Sequence, residues 1–152
     1  VKTARPDGVI VAPSSTGAYF LDPDPAVNTM QKECVEGHHQ RFGRYPDYPA
    51  YRTYQAWSGL RAAYEKAIKQ AGRWPTTEEV IKAFEGLSWE TPSGTITMRA
   101  DHQAVHGGMI GITKMSPKHG FAVLDRVVRH RADEIMPPLG TKTLDWVAGI
   151  KK

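Results

Sequence analysis

The sequence predicts an α/β fold, and three observations carry that prediction. A short β-branched run near the amino end, residues 8–12, is typical of a strand. Two stretches with apolar residues at helical spacing follow, at residues 25–42 and 50–71. Beyond residue 88 the pattern changes to short alternating runs separated by turns, which indicates paired strands. The chain of 152 residues is long enough to form one domain with one core.

The first strand is expected to be buried, because its β-branched run is closed by Pro13. A loop of Ser, Thr and Gly follows, and then two aromatic residues, Tyr19 and Phe20. These two rings have two open roles: they line a pocket, or they cover an edge of the core.

The first helix is expected to begin at Asp24, which can cap it, with Pro25 at its first helical position. Gly43 should end this helix. Its apolar residues fall at helical spacing: Val27, Met30, Cys34, Val35 and Phe42. Cys34 is expected to be a small core residue, because the sequence shows no neighbouring base that would make it a nucleophile.

The segment from Ala50 to Gly72 gives the strongest helical signal. Apolar residues recur at spacings of three and four, and we expect them to form the buried stripe that packs on a sheet: Tyr54, Trp57, Leu60, Tyr64 and Ile68. Charged residues should face away from that stripe: Arg61, Glu65, Lys66 and Lys69.

A third, short helix is expected after Pro75, where Thr76 and Glu79 fit a capping box. Its apolar side would be Val80, Ile81, Phe84 and Leu87. A hairpin is then predicted at 89–98, followed by strands at 109–115 and 121–128 that are joined by a turn at 116–120. The tail from Pro137 is expected to be irregular, with a short helical turn near its end.

Composition excludes several classes of protein. The formal net charge is +4 and no basic run is present, which argues against a nucleic-acid partner. A single cysteine excludes an internal disulfide framework and a multi-cysteine metal site. No apolar stretch approaches the length of a membrane span. The sequence motifs of α/β-hydrolases, P-loop enzymes and dinucleotide-binding enzymes are missing, so an enzyme is the weaker hypothesis.

His102 and His106 have the i, i+4 spacing of helical metal ligands. The intervening residues lack the Glu of a zinc-protease helix, and two glycines follow at once. A polar loop with surface histidines is the simpler interpretation, and a small metal-dependent enzyme built on this pair stays open as an alternative.

The loop before the long helix is the best candidate for a binding site. Tyr45, Tyr48 and Tyr51 cluster there with Pro46 and Pro49. A tyrosine offers a flat apolar face and a polar hydroxyl. The free N–H groups at a helix N-terminus suit a carboxylate. The segment is therefore expected to bind a small carboxylate ligand.

Several short motifs in a fixed order resemble one known family. They are Asp-Gly-Val-Ile-Val at 7–11, Arg-Phe-Gly at 41–43, Tyr-Gln-Ala-Trp at 54–57, Ala-Ile-Lys-Gln-Ala-Gly at 67–72, Glu-Glu-Val-Ile-Lys-Ala-Phe at 78–84, and Thr-Pro-Ser-Gly-Thr-Ile-Thr-Met-Arg-Ala-Asp with His-Gln-Ala-Val at 91–105. In this order they resemble the carboxy-terminal part of the branched-chain amino acid (Leu/Ile/Val) type of periplasmic substrate-binding protein of ABC transporters.

The resemblance implies a partial type I periplasmic-binding-protein fold, with helices and strands of the first lobe, the last crossing between lobes and the carboxy-terminal strands. Residues 1–152 would be a carboxy-terminal fragment of a two-lobed receptor, without a complete second domain. It implies no catalysis and no cofactor. It also implies an exported, periplasmic protein whose leader is not in this chain and whose partner is an ABC permease. Such a fragment would expose unpaired strand edges, so it is expected to dimerise or to swap elements.

The resemblance also implies ligand contacts in two loops. The loop before the long helix would contribute Tyr48, Pro49, Ala50 and Tyr51, and the loop after the first strand would contribute Tyr19 and Phe20. The ligand would be a branched-chain or other amino acid, an amide, or an aromatic acid. Two further alternatives stay open beside the metal-dependent enzyme: a cytosolic ligand-sensing regulatory domain of the same fold, and a self-contained α+β domain.

Overall fold

The structure is a computed structural model that describes residues 7–11 and 29–150. These two ranges contain both helices and strands, as expected of a mixed α/β protein. In chain order the elements are β1 (Ile10–Val11), α1 (Thr29–Phe42), α2 (Tyr48–Ala71), α3 (Thr77–Phe84), β2 (Ser88–Thr91), β3 (Gly94–Met98), β4 (Ala104–Val105), β5 (Gly108–Ser116), β6 (Phe121–His130), α4 (Ala132–Ile135) and α5 (Thr143–Ile150).

The described strands form two antiparallel sheets, with the orders β1-β5-β6 and β2-β3-β4. The predicted hairpins at 89–98 and 109–128 are confirmed, and the second is longer than expected. The register of β5 against β6 shifts between Ile110 and Ile112. At the shift, a side chain on Gly111 would lie 3.1 Å from the carbonyl oxygen of Asp125, so the close approach of the two strands favours glycine there.

The first strand is confirmed as a strand, but the prediction that it is buried is wrong. Val9 is 42% exposed and Ile10 is 73% exposed. β1 pairs only with β5, at the edge of its sheet, so one side of its backbone and much of its apolar surface have no cover among the described residues.

Three helix ends follow the capping rules that the sequence suggested. Gly43 and Gly72 adopt the left-handed conformation directly after α1 and α2. The N–H of Gly72 donates to the carbonyl of Ile68, which satisfies one of the last free carbonyls of the helix. The predicted capping box of α3, between Thr76 and Glu79, is present in both directions. The expected start of the first helix at Asp24 and Pro25 lies outside the described residues.

The most deeply buried side of α2 is not the predicted one. We call the buried side the inner face; it consists of Tyr51, Gln55, Gly59, Ala63 and Ala67. We call the apolar side the outer face; its members are the exposed Tyr54, Trp57 and Ile68. The expected burial is therefore wrong for Tyr54, Trp57 and Ile68. Leu60 and Tyr64 are partly buried, and Tyr64 packs against the cluster formed with α3. Lys66 does not face away either, since its ammonium donates to the carbonyl of Ala83 at 2.9 Å.

The inner face is buried because its small residues let neighbours approach closely. Ala63 and Ala67 form a cluster with Val80 and Ala83 of α3. The indole of Trp89 lies directly on Gly59, where an added Cβ would be 2.7 Å from a ring carbon. α2 thus packs on α3 and on β2 at short distance, and this contact orients the start of the helix.

The remaining described elements are smaller. Met109 and Leu124 form the buried centre of the β5–β6 hairpin, together with Val11 and Val127. Cys34 is buried on α1, as predicted, and burial raises the pKa of its thiol to about 11. The tail from Pro137 is more helical than expected, because it carries the eight-residue α5, and the short α4 lies just before it.

Candidate binding site at the start of helix α2

The loop before α2 is fixed at the carboxylate of Asp47. The N–H of Ala50 donates to Oδ1 of Asp47 at 3.0 Å, which makes Asp47 the cap of the helix. The sequence suggested that the N–H groups here would receive a ligand carboxylate. One of them is already bonded to a carboxylate, and that negative charge opposes a second anion at the same point.

The four site residues predicted around this helix start differ in accessibility. Tyr48 is 50% exposed, Pro49 is exposed and Ala50 is half-buried. Tyr51 is only 1% exposed, so its ring belongs to the core. The two other predicted site residues, Tyr19 and Phe20, lie outside the described residues.

A chain of polar contacts links the start of α2 to the β2–β3 turn. Nη1 of Arg52 donates to Oε1 of Gln55 at 3.0 Å, and the amide of Gln55 donates to the hydroxyl of Ser93 at 2.7 Å. The hydroxyl of Ser93 donates in turn to that of Tyr51 at 3.3 Å. The indole N–H of Trp89 donates to the carbonyl of Gln55 at 3.3 Å. Linked hydrogen bonds in a partly buried network restrict the side chains that form them.

Arg52 also lies over the ring of Tyr48. Its guanidinium carbon is 5.3 Å from the ring centroid, within the range of a cation–π contact. We call these two side chains the Tyr48–Arg52 pair. The pair combines an accessible aromatic surface with an oriented cation, which suits a flat or apolar anion.

Arg52, Gln55 and Ser93 are not among the site residues predicted from the sequence. Helical spacing could have linked Arg52 and Gln55 to Tyr48. The three residues are separated by four and three positions, so they share one side of a helix. The contact with Ser93 joins residues 38 positions apart and depends on the tertiary fold.

A second group of polar and aromatic side chains lies between α1 and the β5–β6 turn. It surrounds a cleft of about 180 Å³ lined by Val35, Glu36, His39, Gln40, Tyr45 and Lys118. The ring of Tyr45 contacts those of His39, His119 and Phe121. Burial lowers the pKa of His119, and the charge of Lys118 lowers it further.

The two histidines of the metal alternative do not lie on a helix. His102 adopts positive φ in a turn, and its Nε2 lies 3.3 Å from Oε1 of Glu85. His106 follows β4, with its Nδ1 2.9 Å from the carbonyl of Gly107. Across residues 7–11 and 29–150, no three side chains of His, Cys, Asp or Glu form a group that could hold a metal ion.

Comparison with known families decides the class of the protein. A family model described as "Periplasmic binding protein" matches residues 6–115. The chain belongs to the periplasmic binding protein family. Its fold is part of the type I periplasmic-binding-protein fold, as the resemblance implied. The related proteins of this family are substrate-binding components of ABC transporters and not enzymes, which rules out the metal-dependent enzyme.

Solved structures share the fold. An ABC-type branched-chain amino acid transporter from Rhodopseudomonas palustris is 28% identical, with a TM-score of 0.70 over 90% of this chain and 34% of that one. A solute-binding protein from R. palustris BisB5, in complex with 3,4-dihydroxybenzoic acid, has the same fold at 22% identity and a TM-score of 0.65, over 88% of this chain and 33% of that one. The leucine-, isoleucine-, valine-, threonine- and alanine-binding protein from Brucella ovis also has this fold. It is 23% identical, with a TM-score of 0.56 over 91% of this chain and 35% of that one.

The chain spans about a third of the length of these solved relatives of the periplasmic binding protein family. No curated protein matches it. Among the helices of residues 29–150, none has the length and apolar character needed to cross a bilayer.

Proposed function

We propose that this chain forms part of a solute-binding protein that delivers a small carboxylate ligand to the permease of an ABC importer. The observation that carries the proposal is the family match over residues 6–115. It is supported by the similarity to a branched-chain amino acid transporter along nine-tenths of the chain. The ligand would be a branched-chain or other amino acid, an amide or an aromatic acid.

In this proposal the ligand lies between two lobes, and closure of the lobes is the signal that the permease detects. The start of α2 supplies part of one wall. Tyr48, Pro49 and Ala50 contact the ligand, and the buried Tyr51 supports them through its hydroxyl contact with Ser93. Tyr19 and Phe20 contribute from the loop after the first strand. The protein acts in the periplasm, where members of this family are found.

The test is isothermal titration calorimetry on the whole polypeptide translated from the gene that contains this sequence. Leucine, isoleucine, valine, benzoate, 4-hydroxybenzoate and acetamide are titrated separately. We expect one of them to bind with micromolar or tighter affinity. The 152-residue chain serves as the comparison and should bind weakly or not at all, because a one-sided site leaves most of the ligand in water. Absence of binding by the whole polypeptide across the panel would contradict the proposal.

A cytosolic ligand sensor of the same fold is the second candidate, and location separates the two. We expect the tagged whole polypeptide to appear in the osmotic-shock fraction with its leader removed. Recovery only in the cytosol would favour the sensor.

We also propose that the 152-residue chain self-associates through the outer face of α2. The face presents Trp57, which is 64% exposed, between Tyr54 and Ile68. Its charges are self-complementary, since Arg61 and Glu65 form an i, i+4 pair at 2.7 Å. An antiparallel two-fold pairing, with its axis at the level midway between Arg61 and Glu65, places Arg61 of each copy opposite Glu65 of the other. A second copy thus fits both the apolar and the charged parts of this face.

A further inference from the structure

In the Tyr48–Arg52 pair, the guanidinium of Arg52 forms no ion pair with an acidic side chain in the described part of the chain. Arginine carries five N–H donors in a planar fork, and Arg52 uses Nη1 to reach Gln55 at 3.0 Å. Arg61, Arg73, Arg99 and Arg131 each form an ion pair with a carboxylate. Among residues 7–11 and 29–150, no Asp or Glu makes such a pair with Arg52, so its remaining N–H groups can donate to an anion.

The guanidinium is also held in place before any ligand arrives. Gln55 is 3% exposed, and its amide is fixed by the 2.7 Å bond to Ser93. The guanidinium carbon of Arg52 also lies 5.3 Å from the centroid of the Tyr48 ring. Since the rotamers are already restricted, an incoming carboxylate meets a cation that loses little further freedom on binding.

We infer that Arg52 binds the carboxylate of the ligand while Tyr48 contacts its ring, which makes the ligand a small aromatic carboxylate. This inference rests on the proposed function and names the ligand class for the same site. The planar fork of arginine matches a carboxylate with two parallel hydrogen bonds. The half-exposed ring of Tyr48 offers an edge or an offset face to an aromatic ligand.

The charge of the ligand distinguishes aromatic carboxylates from amino acids at this site. An α-amino acid would bring an ammonium group close to the guanidinium, and like charges at short range oppose binding. A benzoate-type ligand brings only the negative charge, and its ring fits the exposed aromatic surface.

The experiment compares Arg52→Gln and Arg52→Lys with the native whole polypeptide, titrated with benzoate, 4-hydroxybenzoate and the neutral benzamide. Arg52→Gln should weaken benzoate binding at least tenfold and benzamide binding far less, because only the carboxylate needs the cation. Arg52→Lys should recover part of the affinity. Arg41→Gln is the matched control: Arg41 lies over Phe42 at 5.6 Å in a similar contact on α1, and the change should leave binding intact.

Each outcome bears on a different statement. Benzoate binding that is unchanged in Arg52→Gln overturns the role of Arg52. Binding of leucine with no binding of benzoate overturns the ligand class but leaves the proposed function standing. Absence of binding across the whole ligand panel overturns the proposed function itself. Should Arg52→Gln fail to fold, judged by thermal unfolding, Tyr48→Leu replaces it, and its benzoate affinity should fall several-fold.

Discussion

Helix α2 presents two faces of opposite character. Apart from Tyr51, the inner face is built from small and polar residues, and Ala63 and Ala67 are 0% and 1% exposed. The outer face carries large rings, and Trp57 is 64% exposed. Hydrophobicity alone would assign burial the other way. Small residues permit closer contact between backbones, so shape decides which face packs within the described residues.

The two faces also contribute to different free energies, that of folding and that of association. On the inner face, stability depends on close fit and on a bonded polar network. On the outer face, substitutions should affect association and leave folding nearly unchanged. Each prediction below tests one side of this difference, from the largest expected effect to the smallest.

Gly59→Leu should lower the free energy of unfolding by about 3 kcal/mol, even though leucine favours helices. The new side chain would meet the indole of Trp89, where even a Cβ lies 2.7 Å from a ring carbon. Urea unfolding followed by circular dichroism measures the loss. Ala56→Leu, at an exposed position of the same helix, should change stability by less than about 0.5 kcal/mol. Equal effects of the two substitutions would refute the packing explanation.

Gln55→Leu should lower the free energy of unfolding by about 1.5 kcal/mol. The substitution keeps the volume close to native but removes the acceptor for Arg52 and the donor to Ser93. The double variant with Ser93→Ala should cost less than the sum of the two single changes, because the partners are in contact. If the two losses of stability, measured by the same urea titrations, simply add, the Gln55–Ser93 hydrogen bond contributes nothing to stability.

Trp57→Glu should change stability by less than about 0.5 kcal/mol and abolish self-association. Light scattering on the native 152-residue chain should give about twice 16.9 kDa, and the variant should return to the single-chain mass. Leu144→Glu is the matched control, since Leu144 is an exposed apolar residue on α5 and lies outside the outer face. A monomeric native chain would refute self-association. Protection of Trp57 in a monomeric whole polypeptide would assign the face to another part of that polypeptide.

The smallest expected effect is a pH dependence that arises away from α2. The pKa of His119 is lowered in the folded chain by burial and then by Lys118, below its ordinary value near 6.5. As the pH falls through that value, the unfolded chain takes up the proton first, so stability should decrease toward acid. Urea midpoints at about pH 7.5 and about pH 5 should differ less in His119→Phe than in the native chain. An equal difference would assign the acid sensitivity to other groups.

Local rules predicted much of this fold. Gly43, Gly72 and the Thr76–Glu79 capping box mark helix ends through contacts within a few residues, so the sequence contains the whole signal. The Pro92–Gly94 turn likewise forms between adjacent strands. The buried face of α2 could not be predicted from hydrophobic spacing, since Trp89 and Ala83 select it from a distance along the chain. The i, i+4 series Gly59, Ala63 and Ala67 was the overlooked indication of close packing.

In the candidate site, too, local contacts could be predicted from the sequence and tertiary contacts could not. Helical spacing can bring Tyr48 and Arg52 together, because the two lie one turn apart. The burial of Tyr51 and the role of Ser93 depend on how the β2–β3 turn meets the helix. Tyrosine content indicated a binding loop, but the tertiary fold determines which rings remain accessible.

The buried thiol of Cys34 makes the protein convenient for site-specific labelling. With a pKa of about 11, about one such thiol in ten thousand is ionised at pH 7, and maleimides react with the ionised form. A cysteine introduced at exposed Pro49 would therefore react far faster than the native one. A single environment-sensitive dye could then report ligand arrival by its emission, without removal of the native cysteine.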